Sequence, residues 1–585
     1  MLRLPARTFK RAIPIPTGFC QQPYILPLSL RVYNHVRQLA QHPPRPQTAN
    51  MPKRDEPDHP ELRRPSTKKA KEVDAHLPYD KLREALEKQT ALDDICTLAH
   101  WFRSKDLRIQ DNIGLHTAAS LAENAGKPLV GVYVYCAAEF EWHGTSPARC
   151  DFILQNLAIM QKELEALNIP LVILEADGRK EIVPSATRFI ADNKISHVYA
   201  NYEYEVDELR RDTKFVKEAQ GKSSLSLYHD QTVMEPGTMT TGAGGPMKVF
   251  TPYHKAWLAT VKDDPELLNT VPPPQKVDSH VSKQVASLFG SKIPTAPDNK
   301  QFATVEERDR IRKLWPAGHS AGTKRMDDFI KKQIEDYAAT RSNPAKDSTS
   351  RMSAYFSAGV VSMREAMTKI KAYNSGSSDF NSSGCSAGVY SWVREIVFRE
   401  LYRQTILYTP HTVMNLPTNL KFDFVHWEDD EEGWKKWKEG KTGMPLVDAG
   451  MRQLNHEAYM HNRARMNVSS YLYCNLLLDY RRGERYFAET LIDWDLSNNT
   501  QGWEPSYTVF NPVSQAEKND PDGGYIRQWV PELKAVKGKA VFDPHARLSK
   551  AEFEKLGYPA PHVDWKETKT RAMERFKHDM ADAVP

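Results

Sequence analysis

The 585-residue chain has no hydrophobic run near the roughly 18 residues that a membrane-spanning helix needs. The longest candidate, residues 129–138, has about half that length and contains two tyrosines, which excludes an integral membrane protein. The six cysteines are scattered singly, with no Cys-x-x-Cys pair, so a disulfide framework is not expected. This cysteine usage favours a reducing compartment.

Several catalytic motifs are missing as well. His456 and His461 are i and i+5, whereas a helical zinc site needs i and i+4 on one face, so no metal site is expected. Segment 318–324 has too few residues between its glycines for a P-loop, and there is no Gly-x-Ser-x-Gly motif. The Gly-rich segment 242–245 follows the last predicted strand, so the dinucleotide-binding fingerprint is absent too.

Acidic residues are absent from residues 1–50, which contain seven lysines and arginines. Without these seven, 73 basic residues face 75 acidic ones, a net charge of −2 for the rest of the chain. Nucleic acid would therefore have to bind at a local basic patch. The composition of residues 1–50 resembles a mitochondrial presequence.

Residues 51–93 begin with a second methionine and are predicted to be a disordered basic segment. Its two basic clusters are Lys53-Arg54 and residues 63–71. They resemble a two-cluster nuclear import signal that translation from Met51 would expose, and a solvated tail is the alternative. The expected locations are the nucleus and the mitochondrion.

Strand-like runs alternate with helical segments in residues 94–233, at 95–102, 129–135, 171–175, 197–201 and 224–229. This alternation predicts an α/β domain with a doubly wound parallel sheet. Residues 234–305, rich in Gly, Pro, Thr and Ser, are predicted to be a connector with short helices. Helical periodicity, as in Trp392, Glu395 and Tyr402, predicts an all-α domain at 306–560, followed by a tail at 561–585.

Nine of the twelve tryptophans lie in the helical half. Aromatic residues on helices usually pack in a core, but their concentration here also indicates a large planar ligand. Residues 349–353 (Thr-Ser-Arg-Met-Ser) precede a helix predicted to begin near Tyr355. They fit either a phosphate-binding helix start or an ordinary N-cap. Segments 460–466 and 491–499 place arginines and aspartates among apolar residues, where they must pair or bind a polar ligand.

Seven motifs occur in one order between about residues 98 and 533. They are Trp101-Phe-Arg-Ser-Lys-Asp-Leu-Arg108, Asn201-Tyr-Glu-Tyr-Glu-Val-Asp-Glu208, Lys248-Val-Phe-Thr-Pro252, Gly440-Lys-Thr-Gly-Met-Pro-Leu-Val-Asp448, Met451-Arg-Gln-Leu454, Gly483-Glu-Arg-Tyr-Phe487 and Phe510-Asn-Pro512. In these motifs the chain resembles the photolyase and cryptochrome flavoproteins, most of all the class I cyclobutane pyrimidine dimer photolyases. The resemblance implies a light-driven DNA-repair lyase in which reduced FAD donates an electron to a flipped-out pyrimidine dimer.

The resemblance also implies roles for individual residues. Those assigned to FAD are Tyr337, Thr349, Ser350, Arg351, Met352, Ser353, Trp392, Arg399, Arg465, Asp493, Trp494, Asp495 and Asn499. Arg465 and Asp493 are expected to form an ion pair beside the isoalloxazine ring. Asp495 is expected near the ribityl chain or the ring edge, and Asn499 should face the redox-active ring nitrogen.

A second set is implied to contact DNA: Arg341, Glu395, Phe398, Asn462, Arg463, Met466 and Gln515. Glu395 is expected to bond the carbonyls of the dimer, with Arg341, Arg399 and Arg463 near the rim of the cavity. Electrons are expected to reach the flavin through Trp427, Tyr480 and Trp503. Tyrosine stands at the middle position, where tryptophan is usual, so slower flavin reduction is expected.

A folate antenna (methenyltetrahydrofolate) is implied for the sheet domain, at His143, Asp207 and Glu208. Val413 and Met414 stand where the family has a polar, basic pair, which weakens this expectation.

Two other departures concern the substrate. Phe398 replaces a dimer-stacking tryptophan, and a second such tryptophan is missing because the segment after Trp503 is shorter than in the family. The alternatives to a repair enzyme are therefore a cryptochrome-like blue-light receptor that binds FAD without repair, and a helical scaffold without flavin. About fifty residues follow Leu533, less than a long cryptochrome tail, which favours repair. A monomer that binds dimer-containing DNA and no membrane is expected.

Overall fold

The computed structural model describes residues 62–90, 92 and 94–585. The predicted presequence and the cluster Lys53-Arg54 lie outside these residues. Within the described ranges, no helix combines the length and apolar character needed to cross a lipid bilayer.

Five parallel strands form one sheet in the order β3-β2-β1-β4-β5. Their bounds are β1 (Thr97–Phe102), β2 (Leu129–Tyr135), β3 (Leu171–Glu175), β4 (Ile195–Asn201) and β5 (Ser224–Tyr228). All five predicted runs are therefore strands. The sheet is doubly wound, since both β2 and β4 pair with β1 and the strand order reverses there.

Helices cover both faces of the sheet. Alternate residues of β1 enter two different clusters: Leu98 and Phe102 pack on one face, and Ala99 and Trp101 on the other. The helices of this half are α3 (Ile113–Ala125), α4 (Ala137–Trp142), α5 (Pro147–Ala166), α6 (Ile182–Asp192) and α7 (Val206–Glu218).

The prediction of disorder is wrong for residues 67–87, which form α1 (Thr67–Ala75) and α2 (Pro78–Glu87). The hydroxyl of Ser66 caps α1, and α2 buries Tyr79 and Leu82 against the second face of the sheet domain. Just before α1, the guanidinium of Arg64 is ion-paired with the fully buried carboxylate of Asp423 at 2.5 Å. High charge density suggested disorder, but a few apolar residues at helical spacing are enough to dock both helices.

The predicted connector contains α8 (Phe250–Asp263) and α9 (Ser279–Ser282). Trp257 on α8 is fully buried, and its Nε1 donates to the carboxylate of Glu400 at 2.7 Å. Side chains of α8 belong to one hydrophobic cluster that continues from the sheet into the helical half. This stretch therefore joins the two halves through a common core, and the exact domain boundaries stay a prediction.

The described part of the chain beyond residue 305 has helices and no strand, as predicted. The helices are α10 (Val305–Leu314), α11 (His319–Lys332), α12 (Tyr337–Thr340), α13 (Ser353–Ser357), α14 (Met363–Tyr373), α15 (Ala387–Tyr408), α16 (Glu431–Glu439), α17 (Pro445–Glu457), α18 (Asn462–Ser470), α19 (Tyr480–Thr490), α20 (Leu496–Gly502), α21 (Pro512–Asn519), α22 (Gly524–Trp529), α23 (Pro544–Arg547), α24 (Lys550–Glu554) and α25 (Trp565–Ala581). The predicted tail is largely α25, which buries Phe576 completely.

Candidate functional site

A cavity of about 700 Å³ lies in the helical half, within the size range of small-molecule sites. Its walls come from α12, α13, α15, α18, α20 and the loops beside them. All thirteen residues that the sequence assigned to FAD line it, and so do six of the seven assigned to DNA. Sequence positions more than 150 residues apart, such as Tyr337 and Asn499, thus meet at one site.

Gln515 is the exception. It lies on α21, is absent from the lining of the cavity, and its side-chain oxygen accepts a hydrogen bond from Asn519 at 3.2 Å. Gln515 therefore lies outside the cavity lining, and its contact with DNA stays a prediction.

The segment 349–353 forms one wall of the cavity and leads into α13. The N-cap of α13 is Met352 and makes no side-chain capping bond, so the hydroxyls do not serve as an ordinary cap. The Ser353 hydroxyl instead donates to Asp493 at 2.6 Å. Arg351 has a positive φ of 48° and is ion-paired with Asp347 and Glu457. Thr349 and Ser350 add two further hydroxyl groups to this wall, which therefore combines hydroxyls with a guanidinium, the groups that suit an anionic ligand.

Asp493 and Arg465 form the predicted ion pair, with 2.7 Å between Oδ2 and the guanidinium. The Asp493 side chain is 3% exposed, whereas Arg465 is 26% exposed and also donates to the Met460 carbonyl. The second carboxylate oxygen, Oδ1, is buried without a hydrogen-bond partner in the described part of the chain. A buried acceptor in this state indicates that a ligand donor belongs there.

A second, fully buried ion pair lies behind this wall, between Asp495 and Arg403. Asp495 also accepts from the Ser497 hydroxyl and caps α20 through the backbone N–H of Asn498. Burial alone would raise the pKa of Asp495, but Arg403 outweighs it and holds the pKa well below its usual range. The sequence analysis did not name Arg403. The only indication in the sequence was its position one turn after Arg399 on α15.

Arg399 differs from the prediction that it lies near the rim. Its guanidinium donates to the backbone carbonyls of Gln231 and Phe356, at 2.6 and 3.3 Å. Burial, followed by the nearby charge of Arg403, lowers its pKa to about 10. Arg399 therefore links helix α15 in the cavity wall to Gln231, which follows strand β5, and to Phe356 on α13.

The other predicted DNA contacts are grouped on the cavity wall. Glu395 is ion-paired with Arg341, and the Arg463 guanidinium donates to the Ser342 hydroxyl at 3.0 Å. Asn462, at the start of α18, and Met466 line the same space. This wall combines one carboxylate with two guanidinium groups.

Phe398 is stacked on Phe250 of α8, with parallel rings 3.4 Å apart. Arg394 also lines the cavity, with its guanidinium carbon 5.4 Å from the Phe250 ring centroid and 5.7 Å from that of Phe398. Sequence reasoning named neither Phe250 nor Arg394 as a site residue. Phe250 stands in a quoted motif, but nothing local indicated its partner on α15.

The proposed electron path is only partly connected by ring contacts. Trp503 is 2% exposed and lines the cavity, with its ring against Phe487 at 4.9 Å. Gly483 is required beside it, because a Cβ there would collide with the indole. Tyr480 and Trp427 form a separate pair at 6.2 Å, outside the cavity lining. Asn499 donates to the Glu484 carbonyl at 2.9 Å.

Tyr480 is buried in a charged environment. The guanidinium carbon of Arg481 lies 4.6 Å from the centroid of the Tyr480 ring. Burial raises the pKa of Tyr480 well above the usual value. Glu484, one turn further along α19, has a pKa raised to about 8 by burial. Burial of Tyr480 thus disfavours its deprotonated, negatively charged form.

The predicted antenna residues lie together in the sheet domain. Burial lowers the pKa of His143 to about 4 and raises that of Glu208 to about 8. Oε2 of Glu208 is buried without a hydrogen-bond partner among the described residues. Asp207 accepts from Trp142 and Arg179, at 2.8 and 3.2 Å.

Comparison with known proteins identifies the family. Residues 98–275 match the family described as "DNA photolyase". Residues 392–578 match the family described as "FAD binding domain of DNA photolyase". The chain is 36% identical to a deoxyribodipyrimidine photo-lyase of Neurospora crassa, over 86% of each chain. It is 33% identical to a deoxyribodipyrimidine photo-lyase of Escherichia coli, over 82% of this chain and 98% of that one.

This chain belongs to the DNA photolyase family.

Other relatives extend the comparison. A mitochondrial deoxyribodipyrimidine photo-lyase of Saccharomyces cerevisiae is 30% identical over 85% of this chain and 89% of the relative. Among solved structures, a class III photolyase of Agrobacterium tumefaciens superposes with a TM-score of 0.71 at 27% identity, over 84% of this chain and 99% of that one. The chain therefore has an FAD-binding domain. Its α/β sheet domain followed by a helical domain is the fold of the photolyase family.

The cavity of this family member fits FAD in its chemistry. Four buried polar atoms of its lining residues have no hydrogen-bond partner in the described chain: His461 Nε2, Asp493 Oδ1, Trp494 Nε1 and Gln501 Nε2. FAD carries both donors and acceptors, and its diphosphate suits the hydroxyls and the guanidinium of residues 349–353. Gln501 was not named from the sequence, although it lies between two predicted residues, Asn499 and Trp503.

Proposed function

We propose that this chain splits cyclobutane pyrimidine dimers in DNA with light and FAD. The observation that carries the proposal is that one cavity joins two chemically different walls. One holds the Arg465–Asp493 pair and the hydroxyl-rich segment 349–353, and the other holds Glu395, Phe398 and Arg463. The first wall suits a flavin, and the second suits a flipped-out base and its phosphates.

The protein's part in the reaction is to bind, orient and exclude water. Reduced FAD, when bound, supplies an electron after absorbing light and regains it once two carbon–carbon bonds of the dimer have opened, so the reaction is redox-neutral. Asp493 and Arg465 would hold the ring side of the cofactor, and Thr349, Ser350 and Arg351 would hold its diphosphate. Asn499 presents a carboxamide, which can either donate or accept as the protonation state of the ring changes.

Electrons reach an oxidised cofactor through Trp503, Tyr480 and Trp427 in this proposal. The Tyr480–Trp427 contact and the place of Trp503 in the cavity wall support it. A tyrosine normally releases its phenolic proton when it is oxidised, and Tyr480, at 3% exposure, is buried away from the solvent that would take this proton. We therefore expect Tyr480 to slow reduction of the cofactor but not the repair step.

A folate antenna in the sheet domain is the second cofactor that we propose. The neutral carboxyl of Glu208 at pH 7 and its unpartnered oxygen support a ligand that both donates and accepts hydrogen bonds. Purified protein excited at the folate absorption band would test this. Antenna emission should be quenched when FAD is present, and Glu208→Ala should abolish folate retention while FAD stays bound.

We further propose that product begun at Met1 enters mitochondria and product begun at Met51 enters nuclei. The S. cerevisiae relative is named as a mitochondrial photo-lyase, which supports mitochondrial entry of the product begun at Met1. Arg64 is ion-paired with Asp423, and Lys69 and Lys71 lie in α1, so the second basic cluster is part of the fold. Fluorescent fusions of each form test the proposal, and replacing Lys53 and Arg54 should stop nuclear entry more than replacing Lys69 and Lys71.

The decisive experiment measures dimer loss from DNA under near-ultraviolet or blue light, with enzyme whose FAD has been chemically reduced. Chemical reduction bypasses Tyr480 and isolates the cavity. Wild type should repair, Glu395→Ala should slow splitting more than it weakens binding, and the exposed-site variant Arg188→Gln should match wild type. Absence of repair by fully reduced, FAD-loaded enzyme would reject the lyase and favour the light-receptor alternative.

A further inference from the structure

The six arginines of the cavity lining are not equivalent. They are Arg341, Arg351, Arg394, Arg399, Arg463 and Arg465. Five of them donate to carboxylates, hydroxyls or backbone carbonyls within the described chain. Arg394 is different, because no acceptor of the described residues lies within hydrogen-bond or ion-pair distance, and its guanidinium meets only the rings of Phe250 and Phe398. It therefore brings an unused set of donors to the cavity.

The two rings lie beside this guanidinium. Phe398 lines the cavity and Phe250 does not, so Phe250 backs Phe398 from outside. His254 continues the stack at 5.2 Å from Phe250. Because the two rings are parallel and 3.4 Å apart, a guanidinium carbon 5.4 and 5.7 Å from their centroids lies beside the ring edges, and the backing ring limits the motion of Phe398. The result is an aromatic platform with a cation at its edge.

The chemistry of a pyrimidine dimer matches this platform. Each thymine of a dimer keeps a carbonyl, an N–H and a second carbonyl along one edge, because the cyclobutane ring forms at the opposite edge. Glu395, the neighbour of Arg394, is ion-paired with Arg341 and is an acceptor in its ionised form. A carboxylate can accept from the N–H, and the expectation that Glu395 bonds the carbonyls stays a prediction. The carbonyls need a donor nearby, and Arg394 has five.

We propose that Arg394 is a substrate-binding residue that donates to the carbonyl oxygens of the flipped-out dimer, while Phe398, backed by Phe250, packs against its ring. Arg394 and Glu395 together then match the acceptor–donor–acceptor edge of the base. This inference rests on the proposed function and adds the residue that distinguishes damaged from intact DNA. Contact with a carbonyl inside the cavity, and not with a backbone phosphate, is the specific claim.

The test compares the affinity of FAD-loaded protein in the dark for two DNA duplexes that are identical except for one thymine dimer. Arg394→Gln should weaken binding of the damaged duplex roughly 10- to 100-fold, the usual size for a lost charge-assisted hydrogen bond. Binding of the intact duplex should stay within about twofold, and the salt dependence should not change, because a carbonyl contact releases no counterion. Arg394→Lys should recover only part of the loss, since lysine lacks the planar fork.

Two controls accompany the variants. Arg188→Gln, an exposed arginine on α6 away from the cavity, should leave both affinities unchanged. Flavin content and the unfolding midpoint of Arg394→Gln should equal those of wild type, because Arg394 is part-exposed and makes no ion pair in the described chain. Phe398→Ala should lower damaged-DNA affinity by a similar factor.

Two results would overturn the proposal. An equal loss on both duplexes, with a salt slope smaller by about 1, would make Arg394 a phosphate contact. Unchanged affinity for both duplexes would make it a surface residue without a role in binding. Failure of the proposed function is distinct from either result, since it would appear as absence of light-driven repair by wild type itself.

Discussion

Replacement of Asp495 by alanine tests the buried charge pair that braces the cavity. Arg403 is 0% exposed and Asp495 is 5% exposed, so neither charge can turn to water. Removal of the carboxylate would leave a buried guanidinium without its counter-charge, at a cost of about 3–5 kcal/mol of unfolding free energy. Loss of the cap on the Asn498 N–H adds about 1 kcal/mol.

Further substitutions separate charge from shape. Asp495→Asn keeps an oxygen for Asn498 and loses mainly the charge-assisted part of the pair, about 1.5–3 kcal/mol. Arg403→Met fills the space of the guanidinium and leaves Asp495 with its bonds from Ser497 and Asn498. The double variant removes both charges and should cost less than the sum of the single variants, by about 0.5–3 kcal/mol.

The pH dependence of this deficit has a definite sign. Burial opposes ionisation of Asp495, but Arg403 keeps its pKa well below the usual value. The stabilisation is therefore complete above the unfolded-state pKa of about 3.9 and is lost as pH falls through the lower folded-state value. Between pH 5 and pH 8 the deficit of Asp495→Ala should stay constant.

Denaturant unfolding, followed both by tryptophan fluorescence and by flavin release, measures these costs. Two probes are needed because a chain of this length can unfold through intermediates. A loss below about 1 kcal/mol for Asp495→Ala, or single-variant costs that simply add, would refute the reasoning that the two charges stabilise the wall as a pair.

Three further predictions concern the cavity and the electron path. Asp493→Asn should weaken FAD retention roughly tenfold, seen as flavin lost on dilution, but should destabilise folding less than Asp495→Ala because Arg465 is part-exposed. Burial lowers the pKa of His461 to about 4, so this residue should contribute a fall of about 2 kcal/mol in stability from pH 7 to pH 5. In urea titrations His461→Gln should reduce the pH dependence of wild type by that amount, while the contribution of His143, whose pKa is also lowered to about 4, remains. Tyr480→Trp should speed light-driven reduction of oxidised flavin, followed by absorbance, and Tyr480→Phe should slow it; equal rates in all three proteins would exclude Tyr480 from the path.

The fold could be predicted from sequence because its signals are local. Each strand is a short apolar run, and both faces are buried, as residues of β1 such as Leu98 and Trp101 illustrate. Helices α1 and α2 were missed because their mean composition is charged, although Val73 and Leu82 are buried. Average charge conceals a narrow apolar stripe.

The site was predicted less evenly. Asp493 and Arg465 were named because charged residues stand among apolar ones in segments 460–466 and 491–499, and because both resemble family positions. Arg403 and the Phe250–Phe398 stack were not, since each depends on a partner far along the chain: Asp495 is 92 residues from Arg403. Such pairings exist only after the helices pack, so no local spacing can indicate them.

The shortened segment after Trp503 gives the platform at Phe398 more importance. The carboxylate of Glu504 accepts from both the backbone N–H and the hydroxyl of Thr418, at 2.7 and 3.1 Å, so this segment is tied to the loop before α16. None of the described residues 504–511 lines the cavity, and the segment does not supply the second stacking ring that the family usually has. Base stacking on an aromatic ring contributes about 1–3 kcal/mol, and one such contribution is missing here. Discrimination between damaged and intact DNA must then depend more heavily on the remaining wall, where Arg394 adds donors that a second ring could not have supplied.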